Sequence, residues 1–214
     1  MNTATASASH LTTLQPGFAD LAHDSQRVFR AVLGALSYPG VAHDVPTGGM
    51  GRPEAGRRAA QAILLSLLDA ETTLWLSPKL AAGDAGAWLR FHTGCRLVAD
   101  AAQADFAWVA MQDAVPELTT LRTGTDAAPE HAVTCVIDMP AFSTDLPHRV
   151  WQLSGPGIQG TQPCALPAQA PQRVQQVRDV HQAGHALFPR GVDMLLTSED
   201  QVIGLPRTTQ IAGA

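Results

Sequence analysis

Apolar residues at positions 18, 21, 22, 28, 29, 32, 33 and 36 recur at the spacing of one buried helical stripe, which predicts a helix over 18–36 stopped by Pro39-Gly40. After the glycine-rich loop Thr47–Gly51, a second helix is expected over 53–68, with Pro53 at its first position. Ala62 to Leu68 is apolar nearly all round, so this helix should be buried. Residues 72–77 read as a short strand, 84–93 as a helix with Asp84 as N-cap and Gly94 as its stop, and 105–111 as another strand. Further strands are expected over 133–139 and 150–154. The stretch 159–172, carrying Pro163, Pro167 and Pro171, reads as irregular connection. A helix over 172–187 ends before Pro189, and 192–197 and 201–205 flank the polar tip Ser198-Glu199-Asp200 as a hairpin. Helices alternating with strands and a closing hairpin predict a single α/β domain over 14–214, three layers deep, with a mixed central sheet flanked by helices. Residues 1–13, rich in Ser, Thr and Ala, read as a flexible tail.

Composition narrows the function classes. Of the 214 residues 45% are apolar and only 15% charged, against about 25% charged in an ordinary soluble domain. Two explanations stand: a face that docks onto other proteins, or an alanine-rich chain of ordinary solubility. The net charge of −5 and pI near 5.8 argue against a nucleic-acid platform, which shows a basic stripe and a pI above about 9. Positive charge comes almost wholly from scattered arginines, and no apolar run reaches the roughly 18 residues of a membrane span, so no membrane partner is expected. Cys95, Cys135 and Cys164 are too far apart for a disulfide framework or a thiolate cluster. With no basic, apolar leader over residues 1–15, a cytoplasmic location is expected.

Candidate chemistry is sparse. His181 and His185 lie four apart on the predicted helix, the spacing of a zinc pair, but Gln182 stands where a zinc protease carries its glutamate base. No third ligand is evident, so they read as two histidines on a solvated face and no metal is expected. His92 falls in the last turn of its helix, where the dipole favours a cation, with Arg90 nearby. Both read as structural or interface residues, and Cys95 has no visible base partner. Arg207, with Thr208 and Thr209, has the planar donors and hydroxyls to clamp an oxyanion such as a phosphate or phosphonate. The competing reading is an ion pair: the hairpin puts Asp193 roughly opposite Leu205 and close to Arg207, and a carboxylate between Val192 and Met194 needs a partner if buried. The Gly-rich segments Thr47–Gly51 and Gly155-Pro-Gly157 lack the lysine and the donors of a phosphate loop and read as tight turns.

Three segments carry more information together than apart: Leu153-Ser-Gly-Pro-Gly-Ile158, Phe188-Pro-Arg-Gly-Val-Asp193 and Gly204-Leu-Pro-Arg-Thr-Thr209. With Gln15-Pro-Gly-Phe18, Asp24-Ser-Gln-Arg-Val-Phe-Arg30, Asp69-Ala-Glu-Thr72, Trp88-Leu-Arg-Phe-His-Thr-Gly94 and Gly124-Thr125 before Pro129-Glu130, their order from Leu14 to Thr209 resembles the PhnH family, the H subunits of the bacterial carbon-phosphorus lyase core complex.

The resemblance implies a fold similar to a truncated pyridoxal-phosphate-dependent transferase without the cofactor site. It also implies PhnG, PhnI and PhnJ as partners, and a homodimer when the chain is isolated. The activity implied is a supporting, non-catalytic part in forming ribose 1-methylphosphonate 5-triphosphate from ATP and methylphosphonate, within a transferase assembly of phosphonate catabolism. No cofactor is expected: pyridoxal phosphate needs a lysine, and the single one, Lys79, follows a predicted strand in an exposed loop. No catalytic residue stands out. The rival is a free-standing phosphonate- or nucleotide-binding enzyme with an anion site near Arg207.

Overall fold

The computed structural model describes residues 16–51, 53–142 and 148–213. The tail expected over 1–13 lies outside them. Five helices are used below: α1 Leu21–Ser37, α2 Arg58–Leu67, α3 Pro78–Ala81, α4 Ala85–Thr93 and α5 Pro171–His185. The strands are β1 Ala42–Asp44, β2 Thr73–Leu76, β3 Arg96–Val98, β4 Phe106–Val109, β5 Thr134–Asp138, β6 His148–Ser154, β7 Gln162–Pro167, β8 Asp193–Thr197, β9 Gln201–Leu205 and β10 Gln210–Ala212.

Seven strands form the main sheet in the order β1-β9-β8-β5-β4-β2-β3. From β3 to β8 neighbours run parallel, and β9 and β1 add antiparallel pairs, so the mixed sheet is as expected. Side chains alternate across it with the two-residue period of a strand. Trp108, Val136, Leu195 and Val202 face the core made with α1, α2 and α4. Val109, Ile137, Leu196 and Ile203 face a second core.

That second face departs from the predicted helical layer. It is covered by α5 together with a three-stranded antiparallel sheet, β10-β6-β7, which contributes Trp151, Leu153, Cys164, Leu166 and Ile211. Strand β7 occupies part of the stretch expected to be irregular. Its prolines are compatible with pairing because β7 lies at the edge of its sheet, where one side needs no ladder donors.

Two helices also differ from expectation. α1 buries Val28, Val32 and Ala35 but leaves Leu21, Phe29 and Leu33 exposed, so its apolar arc is wider than its contact. α2 begins at Arg58, not Pro53, because Gly56 takes a left-handed φ of 91° and turns residues 53–57 into a loop. Gly94 closes α4 at φ 76° as expected. Asp84 makes no side-chain cap bond and instead accepts from the Glu54 backbone N–H at 3.2 Å.

Candidate functional site

The conspicuous motifs assemble into a joint at one end of the sheet. Arg207 donates from Nε to both Asp193 oxygens at 3.2 Å, from Nη2 to Oδ2, and from Nη1 to the Pro129 carbonyl at 2.6 Å. Its backbone N–H donates to Asp193 Oδ1 at 2.8 Å. Met194, not Asp193, pairs with Leu205, so the carboxylate lies one residue further toward Arg207 than the predicted register. The segments close in with little room. A Cβ on Gly155 would meet the Thr208 carbonyl at 2.8 Å, one on Gly191 the Arg207 Cβ at 3.3 Å, and one on Gly124 the Pro129 carbonyl at 2.8 Å. Thr208 is half-buried and Thr209 buried.

His181 and His185 belong to the same joint and do not form a solvated pair. His181 is buried, with Nε2–H donating to the Pro206 carbonyl at 3.0 Å; Nδ1–H of His185 donates to the Arg207 carbonyl at 2.9 Å. Burial holds the His181 imidazole below its ordinary pKa and favours the neutral ring. Both rings serve as pins for the 206–209 turn.

Arg90 and His92 sit elsewhere, exposed on α4, where the His92 ring meets Trp88 and Phe91 edge-on at 5.2 and 5.1 Å. Cys95, Cys135 and Cys164 are buried, and burial pushes the thiols of Cys135 and Cys164 up to about 12.

The opposite end of the sheet holds a cleft that the sequence motifs do not announce. Chain order runs from β2 to β3 on one side and then to β4 on the other, a reversal that opens a crevice beyond the carboxyl ends of parallel strands. A cleft of about 480 Å³ lies there, between the 54–57 loop and residues that follow β2, β4 and β8, with Asp138, the last residue of β5, on its wall.

Asp138 is 1% exposed. Its Oδ1 accepts from Trp108 Nε1 at 2.9 Å and Thr197 Oγ1 at 3.3 Å, and its Oδ2 accepts from the Arg57 backbone N–H at 3.1 Å. Among the described residues no cation forms an ion pair with the carboxylate, although the nearby Arg57 and Arg173 charges favour its ionised form. The Arg57 guanidinium pairs with Glu199 at 2.7 Å, and the nearby Arg173 donates to the backbone carbonyls of Asp138, Asp113, Val109 and Ala110. Burial therefore prevails over the donors and raises the pKa to about 6.

The loop above packs against this group. Buried Gln61 points Nε2 at the Ala55 carbonyl at 3.1 Å and the Gly56 carbonyl at 3.4 Å, and only a glycine at 56 lets the backbone lie on the Trp108 ring. Lys79 stands exposed at the rim on α3. Ser77, the hydroxyl nearest this end of β2, is buried and accepts from the Ala110 N–H at 2.9 Å. This end of the molecule thus offers an acceptor, a titratable proton and one rim ammonium. No activated nucleophile stands beside Asp138 among the described residues.

A family model described as bacterial phosphonate metabolism protein (PhnH) matches residues 16–212. The chain is also similar to the alpha-D-ribose 1-methylphosphonate 5-triphosphate synthase subunit PhnH of Rhizobium meliloti (strain 1021), at 32% identity over 197 residues, 91% of this chain and 93% of that protein. Among the described residues no helix is long and apolar enough to cross a membrane.

Proposed function

Because the chain belongs to the PhnH family of bacterial phosphonate metabolism proteins, we propose that it is a non-catalytic subunit of an alpha-D-ribose 1-methylphosphonate 5-triphosphate synthase. The carrying observation is the relative of that name, aligned along nearly the full length of both chains. In this reading the chain packs with PhnG, PhnI and PhnJ in the cytoplasm as part of a carbon-phosphorus lyase core. It supports the transferase step that makes the synthase product from ATP and methylphosphonate, and it forms a homodimer when isolated. Its fold is that of a truncated pyridoxal-phosphate-dependent transferase with the cofactor chemistry lost.

The engagement of the candidate groups supports this assignment. The guanidinium best suited to an oxyanion spends its donors on Asp193 and a carbonyl, and the paired histidines hold backbone. Leu21, Phe29 and Leu33, exposed along α1, agree with a chain that is covered in an assembly. Coexpression with PhnG, PhnI and PhnJ tests the proposal. The chain is expected to copurify in one assembly by size-exclusion chromatography and light scattering, and its elution alone from such a mixture would remove it.

A further inference from the structure

The cleft beside Asp138 carries an inference that does not depend on the subunit assignment. A carboxylate that is nearly inaccessible, hydrogen-bonded among the described residues only by neutral donors, and close to the Arg57 and Arg173 charges without an ion pair to either, is an expensive arrangement for a fold to keep. It gives the molecule no ion pair of the kind Asp193 makes. What it provides is an acceptor at the wall of a cleft of about 480 Å³, within the size range of small-molecule sites. The flanking residues Ala55, Gly56, Ala82 and Gly83 contribute backbone and methyl surface on which a flat ring can lie, between the polar side chains of Glu54, Arg57, Lys79, Gln112 and Glu199. At the rim, Arg57 is paired with Glu199, and Glu54 opposes Lys79 in sign, so the described residues of the entrance form no strong anion well.

We propose that this cleft binds a planar nitrogen heterocycle of nucleobase size, whose amino N–H is accepted by the Asp138 carboxylate. The Asp138 oxygen that takes the Arg57 N–H keeps a second lone-pair direction for this donor. The ligand supplies the hydrogen bond that the fold withholds, and a substituent beyond the ring emerges beside Lys79 at the rim.

Adenosine is the suitable probe, because its exocyclic amine is the only N–H on the base. Purine riboside has the same shape without that amine. Titration calorimetry with the full-length chain is expected to show saturable adenosine binding at least tenfold tighter than purine riboside. Asp138→Asn should abolish that preference, while Ala82→Trp, at an exposed rim position, should block both ligands without changing the melting temperature. Absence of saturable adenosine binding, equal affinity for the two nucleosides, or a preference that survives in Asp138→Asn would each overturn the assignment. So would displacement of adenosine by an equal concentration of 2-aminoethylphosphonate, because an alkyl ammonium would then be the better fit.

Discussion

Asp138 makes a prediction whose sign follows from its burial. Its carboxyl titrates at about 6 in the folded chain against 3.8 as a free side chain, so the native state binds more protons than the unfolded state between those values. The charged form therefore costs stability above pH 6, roughly 3 kcal/mol at the full shift, and the cost is relieved as pH falls through 6 toward 4. Relative to Asp138→Asn, which stays neutral throughout, the native protein should gain stability between pH 7.5 and pH 5 in urea unfolding. Parallel profiles for the two proteins would contradict this. At the other end of β8, Arg207→Ala leaves Asp193 without its cation and should cost about 3 kcal/mol or more, read as a lowered denaturation midpoint; an unchanged midpoint would remove the argument. The two acids differed in legibility for a concrete reason. Both sit between apolar residues, but Asp193 is close in sequence to its partner, whereas Asp138 is bonded by Trp108 and by the Arg57 backbone, 30 and 81 positions away. The same signal, a charge at the end of a buried strand, first residue of β8 in one case and last of β5 in the other, marks both; only the long-range convergence identifies a cleft.

Among the elements, α1 against β9 is the contact most sensitive to a single atom. Gly204 lies in β9 under this helix, and a Cβ there would run into the Ala35 carbonyl, which is backbone and cannot swing aside. Gly204→Ala is expected to cost 1–3 kcal/mol, the usual range for overpacking. Gly48→Ala, with nothing within 4 Å of the added atom, should unfold at the native midpoint. Equal midpoints for the two variants would show that α1 is not seated as described. Periodicity indicates the longer helices and the central strands to within about five residues and the burial of α2, but it misjudges the contact face of α1 and the histidine face of α5. α1 has more apolar residues than its neighbours bury, and residues 53–57 carry a helix-like start in Pro53 that the left-handed Gly56 overrides. Proline hid β7 for a related reason, since an edge position is a property of the sheet and not of the segment.

For the molecule as a whole, the alternation of helices and strands was enough to indicate an α/β domain with a mixed sheet. The small second sheet was not legible, because β10 reaches back across more than fifty residues to pair with β6, and a three-residue strand has no pattern of its own. Motif order was similarly informative about family but not about chemistry. The segments around Gly155, Gly191 and Arg207 are demanding because they interlock, and the cleft lies at the far end of the strands they anchor. In the proposed reading this chain is one part of a larger synthase. The most direct test is reconstitution: pure full-length chain, the PhnG, PhnI and PhnJ assembly lacking it, and the two combined are each supplied with ATP, methylphosphonate and the remaining synthase components, and ribose 1-methylphosphonate 5-triphosphate is followed by phosphorus NMR. Product is expected only from the combined sample; turnover by the chain alone, or full turnover by the assembly without it, would contradict the account.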